Sequence, residues 1–264
     1  MTSTPSFIVF SDLDGTLLDH GTYSWEAARP ALDRLATLGV PVILASSKTA
    51  SEMDVLQQSM GLSGFPAIVE NGAGLIGLKV EAEPDSTDYQ RIRDALNRLP
   101  TALRERFQGF GDMTVSEVSA ATGLDITNAK RAKRRGFSEP GIWRGSDDDQ
   151  NAFIAALGQE GLSARKGGRF LTLSLGATKA DQMEHVLSSY APAVSIALGD
   201  APNDVEMLER ADYGAIIHNP HSPPLPRLKG EDTARIRRTK EAGPKGWREA
   251  IDYFLDRLGD RAHG

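Results

Sequence analysis

Two aspartates one residue apart, Asp12 and Asp14, end an apolar run that begins at Phe7, and Gly15 and Thr16 follow them. Far along the chain a second acidic pair, Asp200 and Asp204, follows the run Val194 to Gly199, with Lys179 upstream of it. Ser46 stands at the end of a third run, from Val40 to Ser47. Short apolar runs bounded by turn residues read as strands buried on both faces, as in parallel sheets. In open α/β sheets, ligands bind at the carboxyl ends of the strands. With right-handed crossovers these ends share one edge, so a cluster of carboxylates with one lysine is expected there.

Carboxylates gathered at close range repel, and burying them requires pairing or a metal. For a few carboxyl and carbonyl oxygens plus water, Mg²⁺ is the default cation. The chain has no cysteine and no His-Glu-x-x-His motif, so disulfides, thiolate nucleophiles and Cys-bound zinc are ruled out. A divalent ion beside a carboxylate nucleophile suits phosphoryl transfer, because the ion and a lysine offset the repulsion between two anions. An aspartate can carry a covalent phosphoryl group, splitting one hard step into two. A second aspartate two residues on can protonate the leaving oxygen and then deprotonate the attacking water. Taken alone, Asp12 and Asp14 could equally be an acidic turn leaving a strand. The later segments decide against that.

The elements that must position these groups follow from local patterns. A helix carrying Ala28, Leu32, Leu35 and Leu38 on one face is expected after the first strand, with Pro30 in its first turn and Gly39 at its end. Thr49 and Glu52 have capping-box spacing for a helix from Ala50 to Met60. Ser46, Ser47, Lys48 and Thr49 thus lie between a strand end and a helix start, where free N–H groups favour anions. Short strands are expected over Ala67 to Val69 and Ala73 to Leu78. The polar stretch Glu81 to Thr87 reads as a linker.

From there to about Leu173 the strand-helix alternation is lost. Helices are expected after Thr87, after Thr114 and across Asp125 to Gly136, with a fourth over Asn151 to Leu157 behind the acidic run Asp147 to Asp149. A hairpin turning at Gly167 and Gly168 closes the segment. The first pattern then resumes: a helix from Lys179 to Ser189, a strand to Gly199, a helix from Asp204 to Ala211 and a strand from Tyr213 to Ile217. After a Pro-rich loop holding His218 and His221, to which no metal is assigned, Gly243 to Trp247 introduces an amphipathic helix expected from Trp247 to Leu258. Its Trp247 and Ile251 read as core.

The 264 residues carry a net charge of −6, which disfavours a general nucleic-acid binder. No apolar stretch approaches membrane-spanning length, and the amino terminus lacks a basic region. A soluble cytoplasmic protein is the expectation. Neither a G-x-G-x-x-G nor a Walker lysine loop follows the first strand, against a nucleotide-binding protein.

Asp12 to Thr16 (DLDGT), Ser46, Lys179 and Gly199 to Asp204 (GDAPND) together resemble the four motifs of the haloacid dehalogenase superfamily of phosphatases. The match spans nearly the whole chain. It implies an α/β fold, a Rossmann-like core with a parallel sheet, over residues 1–82 and 174–264. It also implies an inserted α+β cap of the C2B type over residues 83–173. Asp12 would be the nucleophile and Asp14 the acid and base. Mg²⁺ would be held by Asp12, the Asp14 carbonyl and Asp200, with Asp204 ligating through water or holding Lys179. Ser46 and Lys179 would bind phosphoryl oxygens, with Asn203 assisting.

Finer features (YSWEAARPAL, SSKTASEM, ENGA, RRGFSEP, KGGRF and GPKGW) resemble the mannosyl-3-phosphoglycerate phosphatase branch, whose substrate is a small phosphorylated sugar-glycerate. Other sugar phosphatases of the superfamily carry Thr-Gly-Arg where this chain has Ser46, Ser47 and Lys48. Arg169 would either meet the substrate carboxylate or be a surface hairpin arginine. Glu139 would either bind sugar hydroxyls or be an ordinary loop carboxylate. A glucosyl substrate, a sugar phosphomutase and a non-catalytic sugar-phosphate binder are the alternatives, and the oligomeric state is left open.

Overall fold

The computed structural model describes residues 6–78 and 87–259. In chain order the elements begin with β1 (Phe7–Ser11), α1 (Arg29–Thr37), β2 (Val42–Ala45), α2 (Ala50–Met60), β3 (Ala67–Val69) and β4 (Gly74–Ile76). The middle of the chain forms α3 (Thr87–Arg98), α4 (Thr101–Arg104), β5 (Phe107–Gly109), α5 (Val115–Thr122), α6 (Ile126–Ala132), β6 (Ser138–Trp143), α7 (Asp147–Gln159), β7 (Ser163–Gly167) and β8 (Phe170–Ser174). The last part forms α8 (Lys179–Tyr190), β9 (Val194–Gly199), α9 (Val205–Arg210), β10 (Tyr213–His218), β11 (Ile236–Ala242) and α10 (Gly243–Gly259). The chain divides into two compact units: Met1–Ser46, Gly64–Ile68 and Lys179–Gly264, and Ser47–Ser63 and Val69–Thr178. Of the predicted linker, Glu81 to Thr87, residues 81–86 lie outside the described residues and Thr87 opens α3.

The first unit is built on parallel strands in the order β11-β10-β9-β1-β2-β3. Ile8, Val9 and Phe10 of the central strand are completely buried, as an apolar strand inside a sheet must be. In register, Ser11 pairs with Leu44 on one side and Leu198 on the other. Three strands therefore end together, and the turns carrying Asp12, Ser46 and Asp200 leave from one edge. Topologically this edge includes a switch point, because the chain proceeds outward from β1 in both directions.

Local expectations hold where they depend on a few adjacent residues. Pro30 lies in the first turn of α1, and Gly39 takes a left-handed φ of 65° just beyond its end. Leu38 departs from the expected face and is 59% exposed, because it lies past the last helical residue, off the apolar stripe. The strand β11 went unforeseen. Its sequence, IRRTKEA, is polar because it sits at the end of the strand order and, among the described residues, pairs only with β10. α10 starts at Gly243, four residues before Trp247.

The second unit contains an antiparallel sheet in the order β5-β6-β8-β7. Leu171 and Leu173 of β8 meet Phe107, Phe153, Leu157 and the buried face of α3, Ile92, Ala95 and Leu96. Both capping boxes form, Thr49 with Glu52 and Thr114 with Glu117. The hairpin turn is one residue later than expected: Gly167 pairs with Phe170, leaving Gly168 and Arg169 as the loop. α7 extends further at both ends, with Ser146 as its cap and the three aspartates inside its first turn. Two strands, β5 and β6, were missed. Proline and glycine inside SEPGIW hid the second, and Gly141 is needed because a Cβ there would meet the Phe107 ring at 2.4 Å.

Candidate active site

Asp12 is the first residue beyond β1, and its N–H extends the strand pairing by donating to Leu198 O at 2.9 Å. Its Oδ1 accepts from Lys179 Nζ at 2.5 Å, and the same ammonium donates to Asp204 Oδ1 at 2.7 Å. Lys179 begins α8 and is 1% exposed, so its four-carbon stem is packed and its charge is presented to the carboxylates of Asp12 and Asp204. Asp204 is fully buried and turns back on its own chain, its Oδ2 accepting from the N–H groups of Asp200 and Ala201 at 3.1 and 3.0 Å. Gly199 permits this fold-back, since a Cβ there would lie 2.5 Å from that of Asp204. Asp204 therefore holds Lys179 with one oxygen and shapes the turn after β9 with the other.

Asp200 is buried between two donors: Thr16 Oγ1 reaches its Oδ1 at 2.6 Å and Asn219 Nδ2 its Oδ2 at 2.7 Å. Gly15 makes room for that pair. It has a φ of 83°, and a Cβ would lie 2.5 Å from Asn219 Nδ2. Asp12, Asp200 and Asp204 each place one carboxylate oxygen within 4.8 Å of the others. Burial raises the Asp12 carboxyl well above the ordinary range, Asp204 and Asp200 add to the rise, and Lys179 opposes it. Asp200 is also raised by burial, against the hydrogen bonds from Asn219 and Thr16. Burial depresses the Lys179 ammonium, but Asp12 and Asp204 outweigh it and hold its pKa above the usual lysine value.

Among the described residues, three buried carboxylates gather about the Lys179 ammonium, an excess of negative charge. That donor set fits a hard divalent cation such as Mg²⁺, with Asp12 and Asp200 as the carboxylates that would hold it. Bound there, the ion would supply charge neutralisation for an anionic substrate.

The remaining expected residues fall into two groups. Asp14 is half-buried in the turn after β1 and bridges to Leu18. Ser46 is fully buried just past β2, its N–H donating to Ile68 O at 3.0 Å, and Asn203 is exposed in a 3₁₀ turn, Pro202–Asp204. These three belong to the unit that holds the acidic cluster. Ser47, Lys48, Arg169 and Glu139 belong to the other unit. Ser47 is exposed and Lys48 half-buried at the entry to α2. Arg169 is exposed in the hairpin loop, with Nη1 donating to Ala121 O at 2.8 Å.

Glu139 requires a correction. It lies within β6 and not in a loop, its side chain is 0% exposed, and both oxygens are engaged. Oε1 accepts from Arg93 Nη1 and Gly111 N at 2.8 Å each, and Oε2 from the Tyr89 hydroxyl at 2.8 Å. A carboxylate so enclosed is spent on its own unit and not on sugar hydroxyls. Conversely, Asn219 was missed. The available signal was its position, a polar side chain directly after the buried strand β10 on the acidic edge.

A family model described as haloacid dehalogenase-like hydrolase matches residues 9–131 and 154–223, well over half the chain. Among solved structures, the sucrose-phosphatase of Synechocystis sp. PCC6803, in complex with sucrose and phosphate, is similar with a TM-score of 0.63. It has 14% identity, with 94% of this chain and 98% of that one covered. BT1666 from Bacteroides thetaiotaomicron, described among phosphatases of the haloalkanoate enzyme superfamily, has a TM-score of 0.63 and 17% identity, with 96% of each chain covered. The subclass IIB sugar phosphatase BT4131 has a TM-score of 0.61 and 16% identity, covering 94% of this chain and 98% of that one. At such identities the structural likeness is one of fold, and the family model carries the assignment. With the family match running through the strands and turns that bear Asp12, Lys179 and Asp200, this chain belongs to the haloacid dehalogenase-like hydrolases.

Proposed function

We propose that the chain is a Mg²⁺-dependent phosphomonoesterase acting on a sugar phosphate, with 2-O-mannosyl-3-phosphoglycerate as substrate and mannosylglycerate and phosphate as products. The observation that carries the reaction type is the buried Lys179 ammonium shared by Asp12 and Asp204, with Asp200 in the same cluster. The substrate reading rests on the sequence resemblance and on sugar phosphatases among the structures of like fold.

In this reading the Asp12 carboxylate attacks phosphorus while the ester oxygen leaves with a proton from Asp14. Asp14 then takes a proton from water, which displaces phosphate from the aspartyl group and regenerates Asp12. Lys179 opposes the upward push of burial on the Asp12 carboxyl and holds its Oδ1 fixed. Ser46 and Asn203 would meet the phosphoryl oxygens from neighbouring turns. The inserted segment, residues 83–173, would act as the cap that selects the organic part. Its partner is then a small molecule, neither nucleic acid nor membrane. Among the described residues no helix is long and apolar enough to cross a membrane, and a cytoplasmic location is part of the proposal.

A phosphate-release screen over sugar phosphates and glycosyl phosphoglycerates, with Mg²⁺ and with EDTA, tests this. Mg²⁺-dependent release is expected, highest for the mannosyl compound, and Asp12→Asn should abolish it while the fold survives. Faster turnover of a glucosyl compound would revise the substrate, phosphoryl relocation without release would indicate a mutase, and binding without turnover would defeat the enzyme reading.

A further inference from the structure

The opening of the last helix, Gly243 to Trp247, has no part in the chemistry above, yet it is built to close tolerances. A Cβ at Gly246 would lie 2.1 Å from Glu241 O and 2.8 Å from Thr239 Oγ1, so only glycine lets the first turn of α10 lie against the end of β11. That approach seats Trp247 with no exposed surface, its Nε1 2.9 Å from the hydroxyl oxygen of Ser11. Ser11 is the last residue of β1, itself fully buried, and it donates to the carbonyl oxygen of Asp12 at 2.7 Å.

The direction of this chain of bonds is forced. An indole N–H can only donate, so the Ser11 oxygen must accept from it, and the single hydroxyl proton is left for Asp12. Asp12 is thus held on both sides of its Cα. Its N–H is tied to Leu198 O, which restrains φ, and its C=O is tied to Ser11, which restrains ψ. Together the two bonds set the direction of the Cα–Cβ bond and hence of the carboxylate.

We propose that Trp247, acting through Ser11, is a positioning residue that fixes the backbone of Asp12 and so the aim of its carboxylate, a role that rests on Asp12 being the nucleophile. A packing role alone would need the ring but not its N–H. Trp247→Phe keeps most of the apolar contact and removes the donor. Ser11→Ala removes the link while leaving the indole in place.

Hydrolysis of p-nitrophenyl phosphate with Mg²⁺, followed alongside thermal melting, distinguishes the two. Trp247→Phe should lower kcat by roughly tenfold with KM near the wild-type value, since a slightly misplaced nucleophile slows chemistry more than binding. Ser11→Ala should do the same, and the double variant should be no slower than the slower single one, as expected of groups acting in series. Wild-type kcat in Trp247→Phe, multiplicative losses in the double variant, or losses that follow only the folded fraction would overturn the proposal.

Should Trp247→Phe fail to fold, Ser11→Ala carries the test together with the indole N–H signals of the ¹⁵N-labelled protein. The Trp247 signal should shift in Ser11→Ala, and an unmoved signal overturns the contact. If the wild type releases no nitrophenol, the variants are compared on a compound of the phosphate-release screen that it does hydrolyse; release from none of those compounds defeats the phosphatase reading, and the positioning role falls with it.

Discussion

Asn219 donates from Nδ2 to Oδ2 of Asp200 at 2.7 Å, and its Oδ1 meanwhile accepts from His221 N at 2.9 Å. The amide is thereby locked in one orientation, with its NH₂ toward the carboxylate. Since Thr16 holds the other oxygen, Asp200 is aimed from two sides, and its rotamer does not depend on any bound ion. Preformed orientation of this kind lowers the cost of binding a cation.

Asn219→Ala should therefore weaken Mg²⁺ binding by about 10- to 100-fold. The fold should lose only about 1–2 kcal/mol, the scale of one buried hydrogen bond. A Mg²⁺ titration of phosphate release, set beside urea denaturation of the same variant, checks both. An unchanged Mg²⁺ requirement would remove Asn219 from the site.

Lys179→Met keeps the length of the side chain and deletes its charge. Asp12 and Asp204 then face each other with no cation between them. Breaking a buried pair of this sort destabilises by about 3–5 kcal/mol. A lower melting midpoint with loss of phosphate release is expected, and added Mg²⁺ should recover part of the stability but not the turnover. Near-wild-type melting without Mg²⁺ would contradict the charge balance described for the cluster.

Divalent cation should also stabilise the wild type, because it binds the folded chain and not the unfolded one. At a Mg²⁺ concentration about a hundredfold above the dissociation constant the gain is about 2.7 kcal/mol. Asp200→Asn should flatten this response. Differential scanning calorimetry with and without EDTA is the measurement, and an equal shift in wild type and variant would mean that the ion binds elsewhere.

Glu139 gives a prediction in pH. Burial raises its carboxyl above the ordinary value, against the bonds from Gly111, Tyr89 and Arg93. The folded state thus binds a proton more readily than the unfolded chain does, so this group's contribution to stability is greatest below the unfolded glutamate pKa. It declines as pH rises through the raised folded value. Glu139→Gln should abolish that decline. It should also destabilise the unit by about 1–3 kcal/mol at neutral pH, because an amide donor would face another donor. Urea midpoints of both proteins across the acidic range reveal the difference in slope; parallel curves would mean that Glu139 titrates alike in both states.

The sequence by itself determined what is decided within a few residues. The capping boxes at Thr49 and Thr114 are closed by side chains three positions away, and β1 and β9 are buried runs whose character is legible without their neighbours. The acidic edge was legible too, because parallel strands with right-handed crossovers leave little choice about where Asp12, Lys179 and Asp200 go. Edge strand β11 and the Pro- and Gly-containing β6 were not, since their pairing, and not their composition, makes them strands. Tertiary structure alone decided that Glu139 is enclosed, that Asn219 serves Asp200, and that Trp247 reaches Ser11 across 236 positions. Those contacts join segments whose approach is set by sheet order and helix packing, and a hydrogen bond between distant residues leaves no periodic trace in either one.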